Sequence, residues 1–80
     1  MTNNDIIVLF KEAVREVEAN AELDNLTVNT EIAKLGLDSV MTMEVIGVLE
    51  ERLNVRFPDE DLATLKNIGD LTALIQRMAA

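Results

Sequence analysis

Ser39 sits where a side-chain oxygen could do chemistry, in the run Leu35-Gly36-Leu37-Asp38-Ser39-Val40. A lone serine between an aspartate and an apolar stretch is either a nucleophile or a hydroxyl that another enzyme modifies. A nucleophile needs a general base beside it, normally histidine. The chain has no His and no Cys, so modification is the stronger reading. Gly36 permits a sharp turn that few other residues make cheaply. Asp38 suits the cap of a helix starting at Ser39, which would set the hydroxyl at the positive end of the helix dipole, near unpaired N–H groups. Such a place favours an attached anion such as a phosphodiester. Serine is also common at helix starts for purely structural reasons, and the local residues leave both readings open.

Composition narrows the class. Eighty residues make one small domain, expected to span 1–80. A chain of this size buries only about 60 % of the surface its unfolded form exposes, yet 49 % hydrophobic residues suffice for a core without staples. The absence of cysteine removes disulfides and thiolate metal sites and fits a reducing compartment. Met1-Thr2-Asn3-Asn4-Asp5 lacks the features of a signal peptide, and no apolar segment is long enough to span a bilayer. The expectation is a cytoplasmic monomer. Seven basic and fifteen acidic residues give a net charge of −8. A polyanion repels nucleic acid and anionic lipid and is matched by a basic protein patch. The acidic stretch Asp24–Glu31 lacks the alternating ligands and central glycine of a calcium loop, so no metal site is expected.

The elements that must position Ser39 are helical. Thr2 and Asp5 form a capping-box pattern, and Ile6, Leu9, Phe10, Ala13, Val14 and Val17 recur at spacings of three and four, which predicts a helix to about Asn20. Ala21–Leu37 is rich in Asn, Thr and Asp and reads as a long loop. It is anchored by Leu23, Leu26, Val28, Ile32 and Leu35, with one short turn around Ile32 to Leu35. A loop of that length in a compact domain is functional or well pinned. The second helix runs from Ser39 to about Leu53 with Val45, Ile46, Leu49 and Leu53 as its buried stripe. Its outward face carries Val40, Glu44, Gly47 and Glu51, flanked by Met43 and Val48. Pro58 fits the first turn of a brief third helix whose apolar side is Leu62 and Leu65. Asn67 and Asp70 cap a last helix with Ile68, Leu71, Leu74, Ile75 and Met78 inward. The fold class is all-α: a small four-helix bundle of three main helices and a short third one, with a long first loop.

Leu35-Gly36-Leu37-Asp38-Ser39-Val40 resembles the modification motif of the acyl carrier protein family, and an acid-rich helix follows it. Phe57-Pro58-Asp59-Glu60-Asp61 resembles that family's lead-in to its short third helix, and Asn67-Ile68-Gly69-Asp70-Leu71 its lead-in to the last. The similarity runs in order along the whole chain. The resemblance implies a four-helix bundle bearing 4′-phosphopantetheine on the motif serine, here Ser39, with Asp38 presenting the site to a phosphopantetheinyl transferase. It implies a shuttle and not an enzyme: acyl groups ride as thioesters on the arm's thiol between acyl-loading, elongating and transferring enzymes of fatty-acid, polyketide or related biosynthesis. The differing class is an unmodified carrier-like helical module that only docks proteins.

The partner face follows from the residues. From Asp38 to Asp61, seven acids against Arg52 and Arg56 leave −5 of the total −8. Charge focused beside Ser39 would steer basic docking patches and raise association rates. The residues expected to meet them are Val40, Met43, Glu44, Gly47, Glu50 and Glu51. By resemblance, Ile46, Leu49, Phe57, Leu62, Leu65 and Leu71 are core residues that would also border an acyl-chain pocket. The chain departs from the commonest pattern at Val40, where leucine is usual, and at Met41, where acids are frequent. Leu37 and Thr30-Glu31-Ile32-Ala33-Lys34 lean towards carriers of polyketide or nonribosomal pathways.

Overall fold

Side-chain caps set the helix ends. The computed structural model describes residues 1–78, which form α1 (Asn3–Val17), a 3₁₀ turn (Ile32–Leu35), α2 (Ser39–Leu53), α3 (Asp59–Leu62) and α4 (Ile68–Met78). The capping box of α1 is complete: Asp5 N–H donates to Thr2 Oγ1 at 3.1 Å, and Thr2 N–H to Asp5 Oδ2 at 3.0 Å. At the other end of α1, the helix stops at Val17, short of the expected Asn20. Glu18 is extended, and its carboxylate accepts the Asn20 N–H at 3.1 Å, so a side chain takes the donor that another helical turn would use. Asn67 and Asp70 cap α4 reciprocally: Asp70 N–H reaches Asn67 Oδ1 at 2.8 Å, and Asp70 Oδ2 accepts from Asn67 and Lys66 N–H. Pro58 corrects the reading of α3. It stands one residue before the helix, with ψ 140°, and its carbonyl accepts from Asp61 and Leu62 N–H. Leu65 therefore lies beyond this single turn.

The inward faces meet as their spacing predicts. Ile6, Phe10, Ala13 and Val14 of α1 pack with Val45, Ile46 and Leu49 of α2 and with Ile68, Leu71, Leu74 and Ile75 of α4, all buried. Each of these side chains except Ala13 contributes about 1.5–3 kcal/mol of burial. Leu23 and Phe57 join this core from the connections, whereas Leu53 and Met78 are half-buried at its edge. Val48, placed by the sequence beside the outward face, also packs partly against the core. Thr72 is buried too, and its hydroxyl donates to the Gly69 carbonyl at 2.9 Å, which satisfies it.

The long loop is pinned by backbone. Ile32 N–H donates to Lys66 C=O at 2.9 Å, Ile68 N–H to Thr30 C=O at 2.9 Å, and Gly69 N–H to Val28 C=O at 2.7 Å. The first two of these bonds form an antiparallel rung around Glu31 and Asn67, and the third lies just outside its register. They tie the middle of the loop to the start of α4. The 3₁₀ turn follows, and Gly36 ends it in the left-handed region with φ 79°. Nothing would meet a Cβ there, so conformation rather than space calls for glycine.

Two glycines predict opposite outcomes. A Cβ on Gly69 would lie 3.0 Å from the Val28 carbonyl oxygen. Gly69→Ala should therefore cost about 1–3 kcal/mol in denaturant unfolding and expose the Ile32 and Ile68 amides to hydrogen exchange. Gly47, exposed in α2 with open space around it, should gain about 0.5–1 kcal/mol on Gly47→Ala. A pH dependence also follows from the α1 cap. Hydrogen bonding to Thr2, its backbone N–H first and its hydroxyl second, holds the Asp5 carboxyl below its ordinary 3.8. A depressed folded value means stabilisation that is present above pH 3.8 and lost as pH falls through the folded value. Thermal melts of wild type and Asp5→Asn should differ by a constant amount near neutrality and converge below pH 3.8.

Candidate functional site

Asp38 organises the start of α2. Its Oδ1 accepts the Met41 N–H at 2.8 Å, and its carbonyl accepts both the Thr42 N–H and the Thr42 hydroxyl at 2.9 Å. Asp38 is thus committed to capping, as its place in the sequence predicts. Ser39 occupies the first position of a 15-residue helix and is exposed. Asp38 takes up the N–H groups of Met41 and Thr42, which leaves those of Ser39 and Val40 facing outward at the positive end of the dipole. No general base accompanies the hydroxyl, because the chain has no histidine and the adjacent carboxylate is holding Met41. Among the described residues, no group of three or more His, Cys, Asp or Glu side chains is placed to hold a metal ion. The arrangement can carry an anion on Ser39. It cannot activate Ser39 for attack.

Two of the large apolar side chains that stay exposed flank this serine: Val40 at 67 % and Met43 at 58 %. Further along the same helix Glu44, Gly47 and Glu51 are exposed. Glu50 does not join them. It is half-buried and its Oε2 accepts the Phe57 N–H at 2.8 Å, holding the connector that leads to α3. Arg52 also leaves the face: its guanidinium meets Glu12 at 3.1 Å and Glu16 at 2.9 Å on α1. Asp61 pairs loosely with Arg77 at 3.6 Å. Among the described residues, no basic group lies within 4 Å of Asp38, Glu44, Glu51, Asp59 or Glu60. The acids that remain exposed on the outer face of α2, Glu44 and Glu51, therefore have no cation beside them among the described residues.

Beside Ser39 opens a groove of about 590 Å³ between the 3₁₀ turn, the first turns of α2 and the link before α4. It is lined by Ser39, Thr42, Met43, Ile32, Ala33, Leu37, Leu65, Glu31 and Lys66. Five of these, namely Ile32, Leu37, Thr42, Met43 and Leu65, also line a smaller apolar cavity of about 90 Å³ that reaches inward. Of the six residues expected around an apolar pocket, Ile46, Leu62, Leu65 and Leu71 line this cavity; Leu49 and Phe57 do not. Leu49 is a turn further down α2, and Phe57 is in the connector after it. Phe10, Ile32, Leu37, Thr42, Met43 and Val45 line it without having been expected from the sequence. Ile32 and Leu37 were legible only as loop residues, and nothing local says the loop folds back over α2. The groove falls within the size range of small-molecule sites and the cavity well below it. An anionic tether on Ser39 fits, with outward N–H groups at its root and the groove alongside.

Comparison with known proteins agrees with this geometry. The family profile described as "Phosphopantetheine attachment site" matches residues 9–75. The chain is 35 % identical over 80 residues to an acyl carrier protein of Rhodococcus erythropolis, covering 99 % of this chain and 87 % of the relative. It is 30 % identical over 80 residues to an acyl carrier protein homolog of Mycoplasma genitalium, covering 100 % and 95 %. A meromycolate extension acyl carrier protein of Mycobacterium tuberculosis is 31 % identical over 78 residues, covering 98 % and 68 %.

The cap and the charge of Asp38 are separable. Asp38→Ala should cost about 0.5–2 kcal/mol in denaturant unfolding through loss of the Met41 bond, while Asp38→Asn, which keeps an acceptor, should stay close to wild type. Equal losses in the two variants would show that the negative charge, and not the cap, matters for stability.

Proposed function

Because this chain belongs to the phosphopantetheine-attachment family of acyl carrier proteins, whose members are carriers and not enzymes, we propose that its Ser39 hydroxyl bears the 4′-phosphopantetheine arm. The observation that carries the assignment is the geometry at the start of α2. The hydroxyl is exposed at the head of a helix whose cap is already supplied by Asp38, next to two outward N–H groups. When bound, the arm supplies a thiol that holds an acyl group as a thioester, a group the cysteine-free chain lacks.

The chain's own residues have three roles in this reading. Asp38 holds the first turn of α2 rigid and presents Ser39 to a phosphopantetheinyl transferase. Val40 and Met43 give partner enzymes a small apolar contact beside the tether, and Glu44 and Glu51 give them a negative face to approach. Exposed charges of this kind steer association without making dissociation slow, as a shuttle between acyl-loading, elongating and transferring enzymes requires. Ile46, Leu62, Leu65 and Leu71 line the cavity where the cargo's first carbons would be sheltered. The pathway is fatty-acid, polyketide or related biosynthesis.

Incubation with coenzyme A, Mg²⁺ and a broad-specificity phosphopantetheinyl transferase should add one phosphopantetheine, read by intact mass, and Ser39→Ala should abolish the gain. An unchanged wild type, under conditions that load a control carrier, would leave only the protein-docking module. For the partner face, Glu44→Lys should slow acyl transfer to a basic partner several-fold at low ionic strength, and added salt should slow the wild type similarly. Identical rates at low salt would rule out electrostatic docking at Glu44.

A further inference from the structure

Seven basic residues are available to this acidic chain, and one of them, Lys66, lines the groove that starts at Ser39. Its backbone is fixed on both sides: its carbonyl accepts the Ile32 N–H at 2.9 Å, and its N–H donates to Asp70 Oδ2 at 3.0 Å. The side chain is exposed, and its ammonium forms no ion pair within 4 Å among the described residues. Two carboxylates on the pinned segments have partners of their own. Glu31 pairs with Lys34 at 3.1 Å, and Asp70 accepts two backbone N–H groups. Of the two charged side chains that line the groove, Glu31 thus has its own cation and Lys66 has no ion-pair partner within 4 Å among the described residues.

We propose that Lys66 is the oxyanion-binding residue of the Ser39 groove and draws a tethered anion down across Ile32, Leu37, Met43 and Leu65. The inference rests on Ser39 as the tether. Lysine suits this position because its ammonium is a mobile point charge on a flexible stem, and the apolar floor leaves it few competing partners. The anion has two sources, the phosphodiester at the root of the arm or a carboxylate at the end of a dicarboxylic cargo. Either one pairs with Lys66 in partly exposed surroundings, so the interaction is modest and sensitive to salt.

The test uses isotope-labelled chain in four states, each certified by intact mass: unmodified, carrying the bare arm, and carrying the arm loaded with butyryl or with succinyl. If the phosphodiester is bound, the Lys66 Cε and Nζ resonances move between the unmodified and bare-arm states. If a cargo carboxylate is bound, they move between butyryl and succinyl. Lys66→Gln should raise the reactivity of the bare arm's thiol towards a disulfide reagent by up to about fivefold at low salt. Lys66→Arg should keep the wild-type rate, and high salt should erase the difference. Lys66 resonances unmoved across all four states, in a chain that does gain the arm's mass, overturn this inference and leave the carrier reading standing. A chain that gains no mass overturns both.

Discussion

Three backbone hydrogen bonds between the long first loop and the start of α4 shape the Ser39 end of the molecule. Ordering a loop from Glu18 to Leu37 costs on the order of 1–2 kcal/mol per residue in backbone entropy. Each hydrogen bond returns only about 0.5–1.5 kcal/mol net. The rung around Glu31 and Asn67 therefore holds only because Leu23 is buried, with Leu26, Ile32 and Leu35 packed against the core. Once held, the loop fixes the 3₁₀ turn, Gly36 in its left-handed conformation, and Asp38 as the cap of α2. The same bonds place Lys66 and Leu65 opposite Ser39 and so create the groove. Site and fold share one set of bonds.

Charge is distributed by the same packing. Arg52 turns to α1, where Glu12 and Glu16 receive it, and Glu50 turns inward to the Phe57 N–H. One positive and one negative side chain thus leave the outer face of α2, and those that remain, Glu44 and Glu51, are unpaired among the described residues. Asp59 and Glu60 of α3 are likewise exposed and unpaired among the described residues, whereas Asp61 meets Arg77. Isolated surface ion pairs contribute little to stability. The value of Arg52 on α1 lies in what it does not neutralise.

Much of this was legible in the residues, for identifiable reasons. Caps are local: Thr2 with Asp5, Asp38 with Met41, and Asn67 with Asp70 lie within three residues of each other, and all three form. Buried stripes are nearly as local, since the helical period alone selects Val45, Ile46 and Leu49 or Leu71, Leu74 and Ile75. The misses are of another kind. Glu18 ending α1, Pro58 standing just outside α3 and Glu50 bonding seven residues ahead are choices between two satisfied arrangements, which neither propensity nor spacing decides. The cavity lining was least legible. Phe10, Ile32 and Val45 come from three separate elements, and no spacing in the chain brings them together.

Whether the chain's one serine is the tether is read most directly by peptide mapping of protein purified from its own host. Cleavage after Lys34 and Arg52 releases the peptide 35–52, which contains Ser39. With Ser39 as the tether, this peptide carries the phosphopantetheine mass and fragmentation places it on Ser39. An unmodified 35–52 peptide, or the same mass on Thr42 or on any other peptide, would contradict that role.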